Sequence, residues 1–439
     1  MKKINVITLG CPKNIVDSEN LMGLLKINRF ELTDDARDSD VIIINTCGFI
    51  NEAKEESIQT ILEALELKKE DPAKKVFVAG CLTQRYRREI EKEIPEVDAI
   101  FGTEEYGQIL KTLGKGHAAI DQLQRTRLIS TPRHYAYLKI SEGCNHTCGF
   151  CAIPAIRGRH RSKPLEQLLE EAQHLEKNGA REIIIVSQDT SYYGKDLYGR
   201  QAITELLESL ESLSGVQWIR PLYWYPTNFP LDVLQQMRDS KKLVHYLDLP
   251  IQHISERMLR LMRRGDTRQS IIRLLDTARK TVPDITLRTT VIVGHPGESE
   301  ADFAELLQFV KDIEFDRLGS FIYSDEDGTA SYGLPEKVDE ALAKERQRIL
   351  METQSEISLR KNRTFIGKTL TVLIDEYDSV QNIYSGRTYR DAPEIDNEVI
   401  IQNIKGARSI PVGSLQKVSV VDASEYELYA EWTASDSND

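Results

Sequence analysis

The chain has 439 residues, 40% hydrophobic and 29% charged, with a formal net charge of −12. That is the balance of a soluble chain with room for several cores, two to four domains at ~100–200 residues each. No apolar run approaches the ~18 residues of a membrane span, and the apolar stretch behind the opening "MKK" is too short for a signal peptide. The reading is therefore cytoplasmic, without membrane association. The acidic balance argues against broad nucleic-acid affinity, which needs a concentrated basic surface, and suits a basic partner.

Residues 1–130 form the first region. Three apolar runs, at 4–10, 40–46 and 75–80, alternate with helical patterns such as "NEAKEESIQTILEALELKK" (51–69), which opens on an asparagine in capping position. Continuous apolar strands between helices predict a parallel α/β sheet covered on both faces. Each run stops at a cysteine: Cys11, Cys47 and Cys81. Ligand sites in open α/β sheets form outside the carboxyl ends of the strands, so three parallel strands would deliver three thiols to one rim. A cysteine is also an ordinary small buried hydrophobe, but here the placement recurs three times.

The second region, 131–334, repeats the β-then-α theme. Strands are expected at 135–141, 182–188, 218–225, 244–251, 286–294 and 317–324, with helices between most of them, such as 164–179. Six such units predict a partial (β/α)6 barrel, two short of the full eight. A charged connecting helix is expected over 335–364. Residues 365–433 then change to short alternating strands with Gly and Pro turns, the pattern of a small β-barrel, and the tail 434–439 reads as disordered.

"EGCNHTCGFCAIP" (142–154) follows the first barrel strand and places Cys144, Cys148 and Cys151 in one loop. Disulfide frameworks belong to small secreted chains, so ligation is the better reading of six cysteines that all precede residue 152. Zinc would need a fourth ligand; His146 lies in the loop, but no second CxxC or HxxxH follows. A cubane 4Fe–4S cluster on three cysteines leaves one iron open to a substrate.

The C-x3-C-x2-C spacing, with the aromatic Phe150 before the last cysteine, resembles the radical S-adenosylmethionine (SAM) superfamily. That resemblance implies that the open iron chelates the amino and carboxylate groups of SAM. One-electron cleavage then yields a 5′-deoxyadenosyl radical that abstracts hydrogen from an unreactive carbon. Taken with the N-terminal cysteines and the C-terminal barrel, the chain resembles the methylthiotransferases, whose last domain is called TRAM. The family implies a second 4Fe–4S cluster on Cys11, Cys47 and Cys81 that carries the sulfur, and a second SAM as methyl donor. By strand-end position, the SAM contacts beside Phe150 are expected at Gln188, Asp189, Gln252, His253, Gly294 and Gly297. His253 has a structural alternative. The run Arg157, Arg159, Arg161 and Lys163 could hold a carboxylate or form solvated surface.

Two branches of the family differ in substrate. "LGCPKNIVDSE" (9–19), "GCNHTCGFCAIP" and "DAPEID" (391–396) resemble the RimO type, which implies modification of the β-carbon of an aspartate in ribosomal protein S-twelve. The MiaB-like type, which acts on a tRNA adenosine, tends to read GCQMN at the first of these motifs. Residues 365–439 carry six Lys or Arg against thirteen Asp or Glu, a balance that would repel a tRNA backbone and attract a basic ribosomal protein. Nucleic acid is thus not the expected substrate, and an electron donor is required. A non-catalytic iron–sulfur protein remains the alternative from another class. Trp432 and Tyr389 read first as core aromatics and second as contacts.

Overall fold

The apolar runs of the first region pair as parallel strands in the computed structural model, which describes residues 2–114, 126–402 and 410–433. β1 (Lys3–Thr8), α1 (Pro12–Ile27), β2 (Glu31–Leu32), β3 (Val41–Thr46), α2 (Asn51–Glu70), β4 (Lys75–Gly80), α3 (Cys81–Glu93), β5 (Ala99–Ile100) and α4 (Tyr106–Thr112) follow in chain order. The sheet order is β2-β1-β3-β4-β5, all parallel. β3, at the centre, is buried at every position, as a strand covered on both faces must be. The order reverses between β1 and β3, so their carboxyl ends open a crevice at a topological switch point. Cys11, Cys47 and Cys81 stand at that edge. Pro12 pre-sets the first turn of α1. Asn51 is the first helical residue rather than the cap; Ile50 takes the cap position in an extended conformation, with no side-chain cap.

In the second region β6 (Tyr135–Lys139) leads into a short antiparallel pair, β7 (Ser141–Glu142) with β8 (Arg161–Ser162). This pair clamps the cysteine loop and the short helix α5 (Ile153–Arg157) that follows it. β9 (Glu182–Val186), β10 (Trp218–Pro221), β11 (Tyr246–Asp248), β12 (Thr286–Val293) and β13 (Arg317–Ile322) complete the wall. They form two parallel three-stranded sheets, β10-β9-β6 and β11-β12-β13, joined by a parallel bridge between Ile219 and Leu243. This is the expected six-stranded partial barrel. The continuous ladders of the strands expected at 218–225 and 244–251 end early, at Pro221 and Asp248, and the second pairs again only as an isolated bridge between Gln252 and Val291. Just beyond the first, Tyr223 adopts φ +61 and Gln252, beyond the second, φ +69. Left-handed backbone ends a ladder and redirects side chains across the barrel mouth.

Alternation along β6 separates two environments. Ala136 and Leu138 pack outward under the helices; Tyr135 and Tyr137 point inward. The inward face is closed by other regions, since Val16 of α1 and Leu373 and Ala392 of the C-terminal region join the same cluster. The C-terminal region is a closed barrel in the order β14-β15-β16-β18-β17. Its strands are β14 (Thr369–Asp378), β15 (Ile383–Arg387), β16 (Glu398–Gln402), β17 (Leu415–Ala423) and β18 (Glu427–Trp432). Trp432 packs edge-on to Tyr384 at 5.4 Å. Tyr389 sits at the contact with the partial barrel, its hydroxyl on Asp284. The connecting helix spans Glu340–Arg363, capped by Asp339, which accepts from the Ala341 and Leu342 amides. The tail lies outside the described residues.

Buried ion pairs tie the last barrel to the partial one. Glu182 accepts from Arg220 Nε at 2.7 Å and from Arg387 Nη1 at 2.8 Å. In "DAPEID", Asp391 accepts from Arg317 Nε at 3.0 Å, and Asp396 from Tyr246 at 2.5 Å and Arg288 at 3.3 Å. Three acidic residues of the last barrel, Asp375, Asp391 and Asp396, thus neutralise arginines at this contact. The acidity counted from sequence overstates what faces solvent. Glu182→Ala leaves two buried guanidinium groups short of a counter-charge, which costs roughly 3–5 kcal/mol. A lowered melting temperature with earlier proteolytic release of the last barrel is expected; unchanged values would contradict the role given to Glu182.

Candidate functional site

All six cysteines, three from the N-terminal sheet and three from the barrel loop, line one cavity of about 430 Å³ between the carboxyl edges of the two sheets. None is disulfide-bonded. The edge of the first sheet is drawn tight at Gly10. Its φ is +86, and a Cβ there would stand 2.6 Å from the Cys47 Cβ, so only glycine lets the two strand ends meet. The barrel loop is pinned on both sides: the Cys144 amide donates to the Gly158 carbonyl at 3.1 Å, and the Gly149 amide to that of Met262 at 2.8 Å.

Burial pushes the Cys81 and Cys151 thiols up to about 12 and Cys144 to about 11, and raises Cys47 as well. Free, these groups hold their protons at neutral pH; ligation to a cation removes them outright. Among the described residues no group of three His, Cys, Asp or Glu converges closely enough for a single metal ion. In a cubane cluster each sulfur goes to its own iron, a demand that three thiols facing one cavity can meet. His146, which a zinc site would enlist, is otherwise engaged. Its ring stacks on Tyr225 at 3.6 Å, and its Nε2 is 2.6 Å from Asp189 Oδ2.

A buried charge cluster joins the two cysteine sets. Arg157, the last residue of α5, donates to Asp17 at 2.9 Å, Glu142 at 3.0 Å, Asn14 at 2.5 Å and the Cys81 sulfur at 3.3 Å. Lys139 on β6 reaches Asp17 and, at 2.7 Å, Glu142. Burial alone would raise the Glu142 carboxyl, but Lys139 and Arg157 outweigh it and hold Glu142 well below the usual carboxylate range. The four charges balance: Arg157 and Lys139 against Asp17 and Glu142. The rest of the expected basic run turns away. Arg161 pairs with Glu104 at 2.5 Å, Lys163 with Glu171 at 2.8 Å, and Arg159 is exposed.

Of the expected SAM contacts, Phe150, Gln188 and Gln252 line the cavity. Gln188 donates to Glu142 at 3.4 Å, while its Oε1 is buried with no hydrogen-bond partner among the described residues. Such an orphaned acceptor fits a ligand that brings an N–H donor, as the SAM amino group would. Asp189 stands behind the lining and orients His146. His253, Gly294 and Gly297 are not brought to the cavity. His253 is fully buried; its Nδ1 accepts the Ile254 and Ser255 amides, and its Nε2 meets Glu298 at 3.2 Å. A Cβ at Gly294 would meet Ala343 of the connecting helix at 2.6 Å, and the Gly297 amide donates to Glu336 at 2.9 Å.

Sequence reasoning did not single out Lys13, Tyr223, Tyr225 or Arg264, which also line the cavity. The aromatic run "LYWYP" beyond β10 was the available signal for the tyrosines. Arg264 lies over the Tyr225 ring at 4.0 Å, with Nη1 3.8 Å from the Cys148 sulfur.

Family models match along the chain: the uncharacterized protein family UPF0004 over residues 3–102, the radical SAM superfamily over 138–310 and the TRAM domain over 366–433. In fold the chain is similar to the radical SAM methyltransferase TsrM of Kitasatospora setae. The TM-score is 0.56 at 11% identity, over 81% of this chain and 89% of that one. Fold and matched models together define a radical SAM protein with a TRAM domain. Its curated relatives include proteins named ribosomal protein uS12 methylthiotransferase RimO. That of Aquifex aeolicus is 48% identical over 97% of this chain and 96% of its own. That of Flavobacterium johnsoniae is 46% identical over 98% of both. The chain belongs to the RimO methylthiotransferase family.

Arg157→Ala removes one of two cations facing two buried carboxylates, a loss of roughly 3–5 kcal/mol. It also strips Cys81 of its donor. Lower thermal stability and less iron per reconstituted chain are expected; wild-type values for both would contradict the bridging role.

Proposed function

We propose that this chain is a radical SAM methylthiotransferase that adds a methylthio group to the β-carbon of an aspartate in ribosomal protein uS12. One observation carries the reading: two sets of three cysteines, from two domains, open onto the same cavity. Cys144, Cys148 and Cys151 hold one 4Fe–4S cluster, and Cys11, Cys47 and Cys81 the other. With both clusters and SAM bound, the site gains one-electron cleavage of SAM and a sulfur donor.

The protein's own groups do the rest. The two sheets hold the two thiol sets at fixed separation, so the reacting partners meet without a diffusive search. With SAM bound, Gln188 Oε1 would accept from its amino group, and Gln252 and Phe150 would line its site. Asp189 acts through His146, holding that ring flat on Tyr225. The lining is largely apolar and aromatic, which excludes water that would quench a radical. The Arg157 cluster keeps the two cysteine sets in register.

No helix among the described residues is long and apolar enough to cross a membrane. A cytoplasmic setting, where reduced thiols, a reductant and ribosomal protein are available, fits this chemistry. The remaining exposed acids of the last barrel, Glu376, Glu394, Glu398, Asp422 and Glu431, supply a surface for a basic protein substrate.

Mass spectrometry of uS12 and of tRNA nucleosides after anaerobic turnover separates the two branches of the family. Methylthiolated uS12 aspartate is expected; methylthioadenosine with unmodified uS12 would overturn the assignment. Iron should stand at about eight per chain and fall to about four in Cys47→Ala or Cys144→Ala. Cys144→Ala should abolish 5′-deoxyadenosine formation. Cys47→Ala should leave it measurable while blocking sulfur insertion, and loss of both activities would contradict the division of roles.

A further inference from the structure

Three lysine or arginine side chains line the cavity: Lys13, Arg157 and Arg264. Arg157 is taken up by Asp17, Glu142, Asn14 and Cys81. Arg264 is taken up by the Pro250 carbonyl at 2.9 Å, Asp266 at 3.4 Å and the Tyr225 ring. Lys13 differs. It is only 8% exposed, yet among the described residues no carboxylate lies within ion-pair distance of it and no acceptor within hydrogen-bond distance. Its ammonium rests 3.5 Å from the centroid of the Tyr223 ring.

An aromatic face attracts a cation but does not satisfy the three N–H donors of an ammonium. A buried charge without a counter-ion is costly, and the nearby carboxylates are spoken for. Asp248 pairs with Arg288 at 2.8 Å and accepts the Tyr223 amide at 2.9 Å. Glu326, the one carboxylate in the lining, pairs with Lys54 at 2.9 Å and Arg85 at 2.5 Å. Of the chain's own groups Cys11 most favours the charged ammonium, but it leaves the N–H donors unpaired, and an anion that arrives with a ligand can take them. The platform is also built at a cost. Tyr223 holds φ +61, unusual for a bulky residue, and is fixed there by Asp248 and by the Thr190 amide, which donates to its carbonyl at 3.1 Å.

Lys13 stands two residues after Cys11 on the N-terminal domain, and its ammonium reaches across to Tyr223 of the barrel. We propose that Lys13 is a specificity-determining residue that binds the carboxylate of the substrate side chain beside Cys11, Cys47 and Cys81. The inference rests on the aspartate reading above and deepens it. An aspartate β-carbon is one bond from its carboxylate carbon, so a carboxylate held by Lys13 puts the carbon to be modified at the sulfur-donating end. A buried ammonium also rejects the isosteric amide, which brings no charge.

The test uses anaerobically reconstituted holoenzyme without reductant, with recombinant uS12 and its counterpart bearing asparagine at the modified position. The native enzyme should bind the aspartate form roughly 10- to 100-fold more tightly. Lys13→Met, similar in length but uncharged, should bring that ratio near one, and Lys13→Arg should keep a preference. Equal binding by the native enzyme overturns the proposal, as does an undiminished preference in Lys13→Met. Should Lys13→Met not retain iron, the native ratio and Lys13→Arg decide. Weaker SAM binding by Lys13→Met with an intact aspartate preference would assign the ammonium to the SAM carboxylate and also overturn it. Methylthiolation of uS12 without an aspartate preference sinks this proposal alone; modification of tRNA instead of uS12 sinks the reading beneath it.

Discussion

The structure turns on four buried charges. Arg157 and Lys139 of the barrel meet Glu142 of the same barrel and Asp17 of the N-terminal domain, with Arg157 also donating to the sulfur of Cys81. Burying any one of these alone would be prohibitive; together they are neutral, and their geometry leaves little freedom. Arg157 ends the short helix that begins two residues after Cys151, and Asp17 lies on the helix that begins just after Cys11. The pairing therefore fixes one cysteine set relative to the other, which a hydrophobic contact of the same area would do less specifically.

Around that contact, the N-terminal domain and the closed C-terminal barrel share the work of filling a barrel that lacks two units. The partial barrel has an inner face that its own helices cannot cover. Val16 of α1 covers part of it; Leu373 and Ala392 of the last barrel cover more, and arginine–carboxylate pairs carry the polar remainder. The open carboxyl edge that remains is where the thiols gather. Incompleteness of the barrel and openness of the site are thus one feature: a full barrel packs its centre with its own side chains, whereas this one leaves an open cavity onto which all six cysteines face.

Much of this was legible in the sequence for a physical reason. β3 and β4 are buried on both faces and β1 is half-buried, so they read as apolar runs, and the cysteine at the end of each run stands out. The C-x3-C-x2-C loop is local and needs no tertiary knowledge. What failed was orientation. Strand-end position pointed to Gln188 and Gln252, which line the cavity, but could not tell that the next residue along, His253, turns into the core, because the reversal depends on φ +69 at Gln252. Gly294 and Gly297 looked like ligand glycines, and they serve the packing of helix and loop. Contacts far apart in sequence were invisible: Arg157 with Asp17 spans 140 residues. The acidic count over the last barrel misled in degree, since sequence does not show which carboxylates are consumed at a contact.

The central claim is that both clusters occupy one cavity, close enough for chemistry to pass between them. Electron paramagnetic resonance of the fully reduced protein tests it most directly. Two paramagnetic clusters held this near each other should give a spectrum broadened by magnetic coupling, unlike the sum of spectra from Cys47→Ala and Cys144→Ala, each with one cluster. A native spectrum equal to that sum, or one showing a single cluster, would contradict the account.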